Sequence, residues 1–336
     1  MNNSLSFRLA SVLGLGMVLL SFWLVLPSPA WATTNHVLLF VLEGVNNEAI
    51  EAHDMPILKK MAKEGAAKLD AQSVSPPLTV PAMATLLTGE PVARHRVNAD
   101  WETYDFSRSF LRSPTLFDYL DLAGGVDTAL FIMDERFYQL SRPEIYVDLQ
   151  TCGKSKPQCN PGTVVGYIDD YLTKVVSQGG YGFRLFEVPG LLVMHVPAPM
   201  DAALKRGWDS PAYSKALSAT DKAIGDVLAL YSRHEVLDKT MVIVTGLNGQ
   251  GSGANGQKNG SLGTTNLGMS VPWIAWGANI KSGHRIVAPV SIMDTGATVM
   301  EALGLETHTE WESKALNEIF IKTPERKTTG NESFAR

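Results

Sequence analysis

Glu43 closes the apolar run "HVLLFVLEGV", residues 36–45, and Thr79 opens "TVPAMATLLTG", residues 79–89. A carboxylate at a strand end can hold a cation, and a hydroxyl ahead of a helix with Pro81 just inside reads as an N-cap. The stretch "TMVIVTGLNGQGSGANG", residues 240–256, has the outline of a metal site. Four β-formers, Met241 to Val244, run into a glycine-rich turn where Asp, His or Glu would be expected. The turn carries Gly246, Leu247, Asn248, Gly249 and Gln250 instead. It also lacks the lysine of a phosphate-binding P-loop, so that reading fails. In "VARHRV", Arg94 and Arg96 either hold a phosphate electrostatically or form a solvated face.

These residues need a frame. The run 36–45 suits a buried parallel strand, and "DTALFIM" (127–133), "GLLVMHVP" (190–197), "TMVIVTG" and "VPWIAWG" read as further strands. "MPILKKMAKEG" (55–65) has helical spacing with Gly65 as a C-cap candidate. The segment 79–89 reads as a helix starting near Pro81, and "SPTLFDYLDLAGG" as one with a serine cap and a glycine stop. A long helix spans 210–234, and "SIMDTGATVMEALG" closes the series. Alternating strands and helices predict an α/β fold, a mainly parallel sheet with helices on both faces. Ligands in such folds sit beyond the carboxyl ends of the strands. That rule selects Glu43, Thr79, the segment after Val196 and the loop after Val244.

The formal net charge is -5 and no long basic run exists, which argues against nucleic acid as a partner. "MNNSLSFR", an apolar stretch from Leu9 to Leu26 and an A-x-A site at Ala30-Trp31-Ala32 read as a secretory signal cleaved after Ala32. The rival reading is an uncleaved membrane anchor over residues 9–26. Both place the residues from Thr33 onward outside the cytoplasm, in the periplasm or secreted. The expected organisation is a signal segment 1–32, one domain 33–320 and a flexible tail 321–336. The two cysteines, Cys152 and Cys159, share one loop and are expected to pair after export.

With these places aligned, the chain resembles the alkaline phosphatase superfamily, in particular its type I phosphodiesterase/nucleotide pyrophosphatase branch. The resemblance runs from about His36 to Leu305. The first strand and "EG" turn resemble the family's strand and "DG" turn. "SPPLTVPAMATLLTGEPVARHRV" is similar to its nucleophile segment, and "GWDSPAYSKALSATDKAIGDVL", "VPWIAWGANIKSG" and "VSIMDTGATVMEALG" resemble its later blocks. The resemblance implies an alkaline-phosphatase-like fold, Thr79 at the nucleophile position, and two divalent metals, usually zinc, that activate it.

The ligand positions carry other residues. The first-strand Asp corresponds to Glu43; the Asp and His before "GW" correspond to Met200 and Leu204. The Asp-His pair after the later strand falls on Leu247 and Asn248, and the last His on Asn255, or Asn259 under another gap placement. Leu and Met cannot ligate zinc in place of Asp and His, and an amide is a poor ligand. No metal cofactor is therefore expected, and the Thr79 hydroxyl is expected to lack a group to ionise it. Two smaller possibilities stand beside this. His195, Asp201 and Glu43 could form a mononuclear site if the loop slips by one residue, or Asp201 faces solvent and His195 is a satisfied strand-end histidine. His95 sits where the family has a His before Gly, with Arg96 at the Gly position. Glu43, His95, Arg96 and Asn248 are thus the candidate binding residues.

The resulting expectation is an exported, non-catalytic relative that binds a phosphorylated or sulfated small molecule or a protein partner. The alternatives are a hydrolase using Thr79 with an altered or single metal, and a structural or assembly factor.

Overall fold

The computed structural model describes residues 34–100, 111, 113–137, 140, 147–151, 159–177, 188–250 and 267–324. The apolar runs become strands: β1 (His36–Glu43), β2 (Ala66–Gln72), β3 (Thr128–Ile132), β4 (Val147–Thr151), β5 (Leu191–Val196), β6 (Thr240–Gln250), β7 (Leu267–Gly268), β8 (Ser270–Gly277) and β9 (His284–Arg285). They pair in the order β4-β3-β5-β1-β6-β8-β2-β9, with β7 attached to β6. β1 lies parallel between β5 and β6, so three carboxyl ends finish side by side. β8 runs antiparallel to both β6 and β2.

The helices are α1 (Asn47–Ala52), α2 (Pro56–Glu64), α3 (Thr79–Thr88), α4 (Val92–His95), α5 (Leu116–Gly124), α6 (Pro161–Ser177), α7 (Ala198–Arg206), α8 (Pro211–Arg233) and α9 (Asp294–Ala302). Strand alternation divides the core into two layers. Val37, Leu39 and Val41 of β1 face the cluster that contains Val80 to Leu87 of α3, Leu116 of α5 and Val299 of α9. Leu38, Phe40 and Leu42 face the other cluster, with Leu58 of α2, Ile168 of α6 and Leu217 and Ile224 of α8. Both faces of the sheet are covered, as the near-continuous apolar strands require.

Several local expectations change. Gly65 follows α2 in an extended conformation, φ -103, rather than as a left-handed cap. Its glycine is required by packing: a Cβ there would lie 2.1 Å from the Ala275 carbonyl oxygen. α5 is capped by Thr115 in a reciprocal capping box with Asp118, while Ser113 donates to Glu90 at 2.8 Å. α3 begins at Thr79, two residues earlier than Pro81 suggested, so Thr79 is the first helical residue and not its cap. β2, α6 and α7 had no counterpart in the sequence pattern.

The expected signal segment 1–32, residues 325–336 of the expected tail 321–336 and Cys152 of the expected Cys152–Cys159 bridge lie outside the described residues. No described helix is long and apolar enough to cross a membrane.

Candidate active site

Glu43 is the last residue of β1 and points to the α3 side of the sheet, as Leu39 and Val41 do. Its neighbour on β6 is set by a β-bulge: Leu42 pairs with Gly246, but Glu43 pairs with Asn248. The inserted residue is Leu247, whose side chain joins the α3-side core and is wholly buried. A bulge re-aims the side chain next to it on the strand. Here it turns Asn248 toward Glu43 and Thr79, while the Leu247 carbonyl accepts the Ser73 hydroxyl.

The four side chains that meet are Glu43, Thr79, His195 and Asn248, all buried. The Thr79 hydroxyl donates to Glu43 Oε2 at 2.6 Å, and His195 Nε2 donates to Glu43 Oε1 at 2.7 Å. Asn248 Nδ2 donates to Thr79 Oγ1 at 3.3 Å, and its Oδ1 accepts the Gly44 N–H at 3.1 Å. Acceptor-only carboxylate oxygens and a donor-only backbone N–H fix the sense of every bond. The chain runs from Asn248 through Thr79 to Glu43, with His195 on the other oxygen. His195 Nδ1 is buried with no hydrogen-bond partner among the described residues, and Phe137 meets the ring edge-on with centroids 4.6 Å apart.

Beside this chain stands a charged set that the sequence pattern did not single out. Asp134 and Arg136 follow the end of β3, and Arg136 Nε bonds both Asp134 oxygens at 2.9 Å. Burial works against charge on both groups, but their mutual bonds and attraction outweigh it. Asp134 is thereby held below the usual carboxylate range and Arg136 above its usual value. Arg136 also lies 3.9 Å from Asp100, whose Oδ1 accepts the Val80 N–H at 2.8 Å. Burial raises the Asp100 carboxyl, with Val80 and Arg136 pulling the other way. The signal for Arg136 and Asp134 was present in "MDERF": they stand beyond the carboxyl end of a parallel strand.

The remaining candidates are placed elsewhere. Met200 is buried at the start of α7 against Gly44, and Leu204 is 50% exposed. Asp201 is exposed in the first turn of α7, so His195, Asp201 and Glu43 do not form a mononuclear site. Among the described residues no group of three His, Cys, Asp or Glu side chains could hold a metal. His95 ties α4 to α3: its ring bonds Thr85 Oγ1 through Nε2 at 2.9 Å and accepts the Val97 N–H through Nδ1 at 3.1 Å. Both ring nitrogens are therefore engaged within the protein in this structure. Arg96 is an exposed C-cap with φ 62. The backbone there keeps a conformation that favours glycine, the residue the resembled family has at that position. Arg94 is turned to Glu90, Glu312 and the Glu310 carbonyl. Asn255 and Asn259 lie outside the described residues.

The donor set does not fit a two-zinc centre. Its one carboxylate and one imidazole are bonded to each other, and the Asn248 amide is committed to Gly44 and Thr79. The expectation that Thr79 lacks any proton acceptor is corrected, since Glu43 lies within hydrogen-bond reach. A carboxylate remains a weak base for an aliphatic hydroxyl without a metal to acidify it.

The parallel β5-β1-β6 core, the buried threonine that opens a helix beside it, and the covered faces define an alkaline-phosphatase-like fold. Solved structures agree on the fold. Ps i-CgsB, in complex with k-i-k-neocarrahexaose, shares 16% identity at a TM-score of 0.60, over 84% of this chain and 75% of its own. BT4656, in complex with its substrate D-glucosamine-2-N,6-O-disulfate, shares 14% at 0.61, over 88% and 82%. Inactive murine ectonucleotide pyrophosphatase/phosphodiesterase 5, in complex with AMP, shares 13% at 0.60, over 82% and 98%. A search of curated protein sequences finds no match. Residues 37–266 match the family described as type I phosphodiesterase / nucleotide pyrophosphatase, and the chain belongs to that family.

Proposed function

We propose that this chain is an exported, non-hydrolytic member of its family that binds a phosphate- or sulfate-bearing ligand in the inherited cleft at Thr79. One observation carries the reading: both oxygens of Glu43, the single carboxylate kept among the family's ligand positions, bond inside the protein to Thr79 and His195. A metal-assisted reaction needs those lone pairs and several more donors, and Met200, Leu204 and Leu247 cannot supply them. Anion binding is supported by the N–H groups at the start of α3 and by the Arg136 guanidinium, which Asp100 and Asp134 already engage. It is consistent with AMP and a disulfated glucosamine occupying structures of the same fold.

The test pairs metal content with turnover and binding. Purified mature protein should hold less than one zinc per chain at micromolar metal. Its hydrolysis of a chromogenic phosphodiester should equal that of Thr79→Ala, while calorimetry detects AMP or inorganic sulfate. Metal-dependent turnover abolished by Thr79→Ala overturns the reading. The second reading is a hydrolase that uses Thr79 with Glu43 as proton acceptor, and the 2.6 Å bond between them favours it. Turnover that survives chelation and is lost in both Thr79→Ala and Glu43→Gln would select it.

A further inference from the structure

The first turn of α3 is capped from a distance. Leu78, at the N-cap position, has no side chain that can accept a hydrogen bond, and none is made there. The acceptor is Asp100, which takes the Val80 N–H at 2.8 Å and also faces the Thr79 N–H. Its other oxygen lies 3.9 Å from Arg136, and about a third of its side chain stays exposed, 32%. A carboxylate arriving from the segment after α4 thus engages the donors adjoining the Thr79 hydroxyl and the nearest guanidinium. Any anionic group presented to Thr79 would seek those same donors.

We propose that Asp100 is a tethered competitor for the anion position beside Thr79, so that a phosphate- or sulfate-bearing ligand binds by displacing it. The inference rests on the anion-binding reading above. Its physical content is competition at high effective concentration: an anion attached to the same chain occupies the donors before a free one arrives. Two anions cannot share the place, because Arg136 is already neutralised by Asp134 and Glu43 adds a further negative charge nearby. Ordinary capping predicts something different. Asparagine caps a helix about as well as aspartate. A plain cap is indifferent to that exchange, whereas a competitor that acts as an anion is weakened by it, since the amide keeps the Val80 bond but loses the charge.

The experiment compares the full chain with Asp100→Asn, and with Asp100→Ser as a second capping variant. Inorganic sulfate and AMP are titrated calorimetrically at fixed ionic strength, and thermal midpoints are recorded alongside. The expected result is at least a tenfold gain in affinity for both probes in either variant, with midpoints close to that of the unmodified protein. Unchanged or weaker affinity in variants that fold normally, while the unmodified protein binds, rejects the competitor and leaves the anion site standing. Absence of binding to either probe by all three proteins removes the anion site, and the competitor with it.

Discussion

His195 donates to Glu43 across two parallel strands, at 2.7 Å, where neither side chain reaches solvent. The pair locks the ends of β5 and β1 together and orients the oxygen that receives Thr79. Losing either member leaves the other buried and short of a partner, which costs more than an ordinary hydrogen bond contributes. Glu43→Ala and His195→Ala should each destabilise by about 2–4 kcal/mol in urea unfolding. The double variant should fall short of the sum by more than ~1 kcal/mol. Additive losses would show that the two act separately.

Leu247 is the obvious target for rebuilding an Asp ligand, but the bulge turns it into the core. Leu247→Asp should cost at least ~3 kcal/mol, the loss of a buried leucine plus a carboxylate without partners. It should bring no zinc. A stable Leu247→Asp protein that takes up stoichiometric zinc would contradict the placement of that side chain.

Burial lowers the pKa of His95 from 6.5 to about 4. The folded state therefore favours the neutral ring, and the unfolded chain takes up a proton first as pH falls. This contribution is fully present above the unfolded value and declines between about pH 6.5 and about pH 4. Below that both states are protonated and the slope ends. Thermal midpoints of His95→Gln should lack this part of the decline, so the gap to the unmodified protein narrows on acidification. A gap that widens reverses the sign and rejects the assignment.

Tyr213 of α8 donates to the Gly44 carbonyl at 2.7 Å in a buried setting. Tyr213→Phe leaves that carbonyl short of a partner and should cost about 1–2 kcal/mol. Chemical denaturation measures it directly, and a change below ~0.5 kcal/mol would mean that the bond contributes little.

The strands β1, β3, β5, β6 and β8 were legible within a few residues because each is a run of apolar residues long enough for a strand buried on both faces. β2 was not, since "AAKLDAQ" has small apolar residues and three polar ones and is defined by its pairing with β8 and β9. Glu43, Thr79 and Asn248 were identified and do meet. The division between Leu247 and Asn248 was hidden, because a bulge is decided by the register with β1. The His195 bond to Glu43 spans 152 positions and leaves no local pattern. Asp100 was missed because a cap normally lies beside its helix, and this one lies 20 residues from Val80.

The contact between Gly44 and α7 makes a single residue the meeting point of three elements. Gly44 has φ +75, and a Cβ on it would lie 2.7 Å from the Met200 backbone nitrogen. Helix and strand end therefore abut with no spare clearance, and Tyr213 clamps the same peptide. One residue thus couples the end of β1, the start of α7 and Tyr213 of α8. A side chain at position 44 would therefore disturb the end of β1, the start of α7 and the Tyr213 bond together.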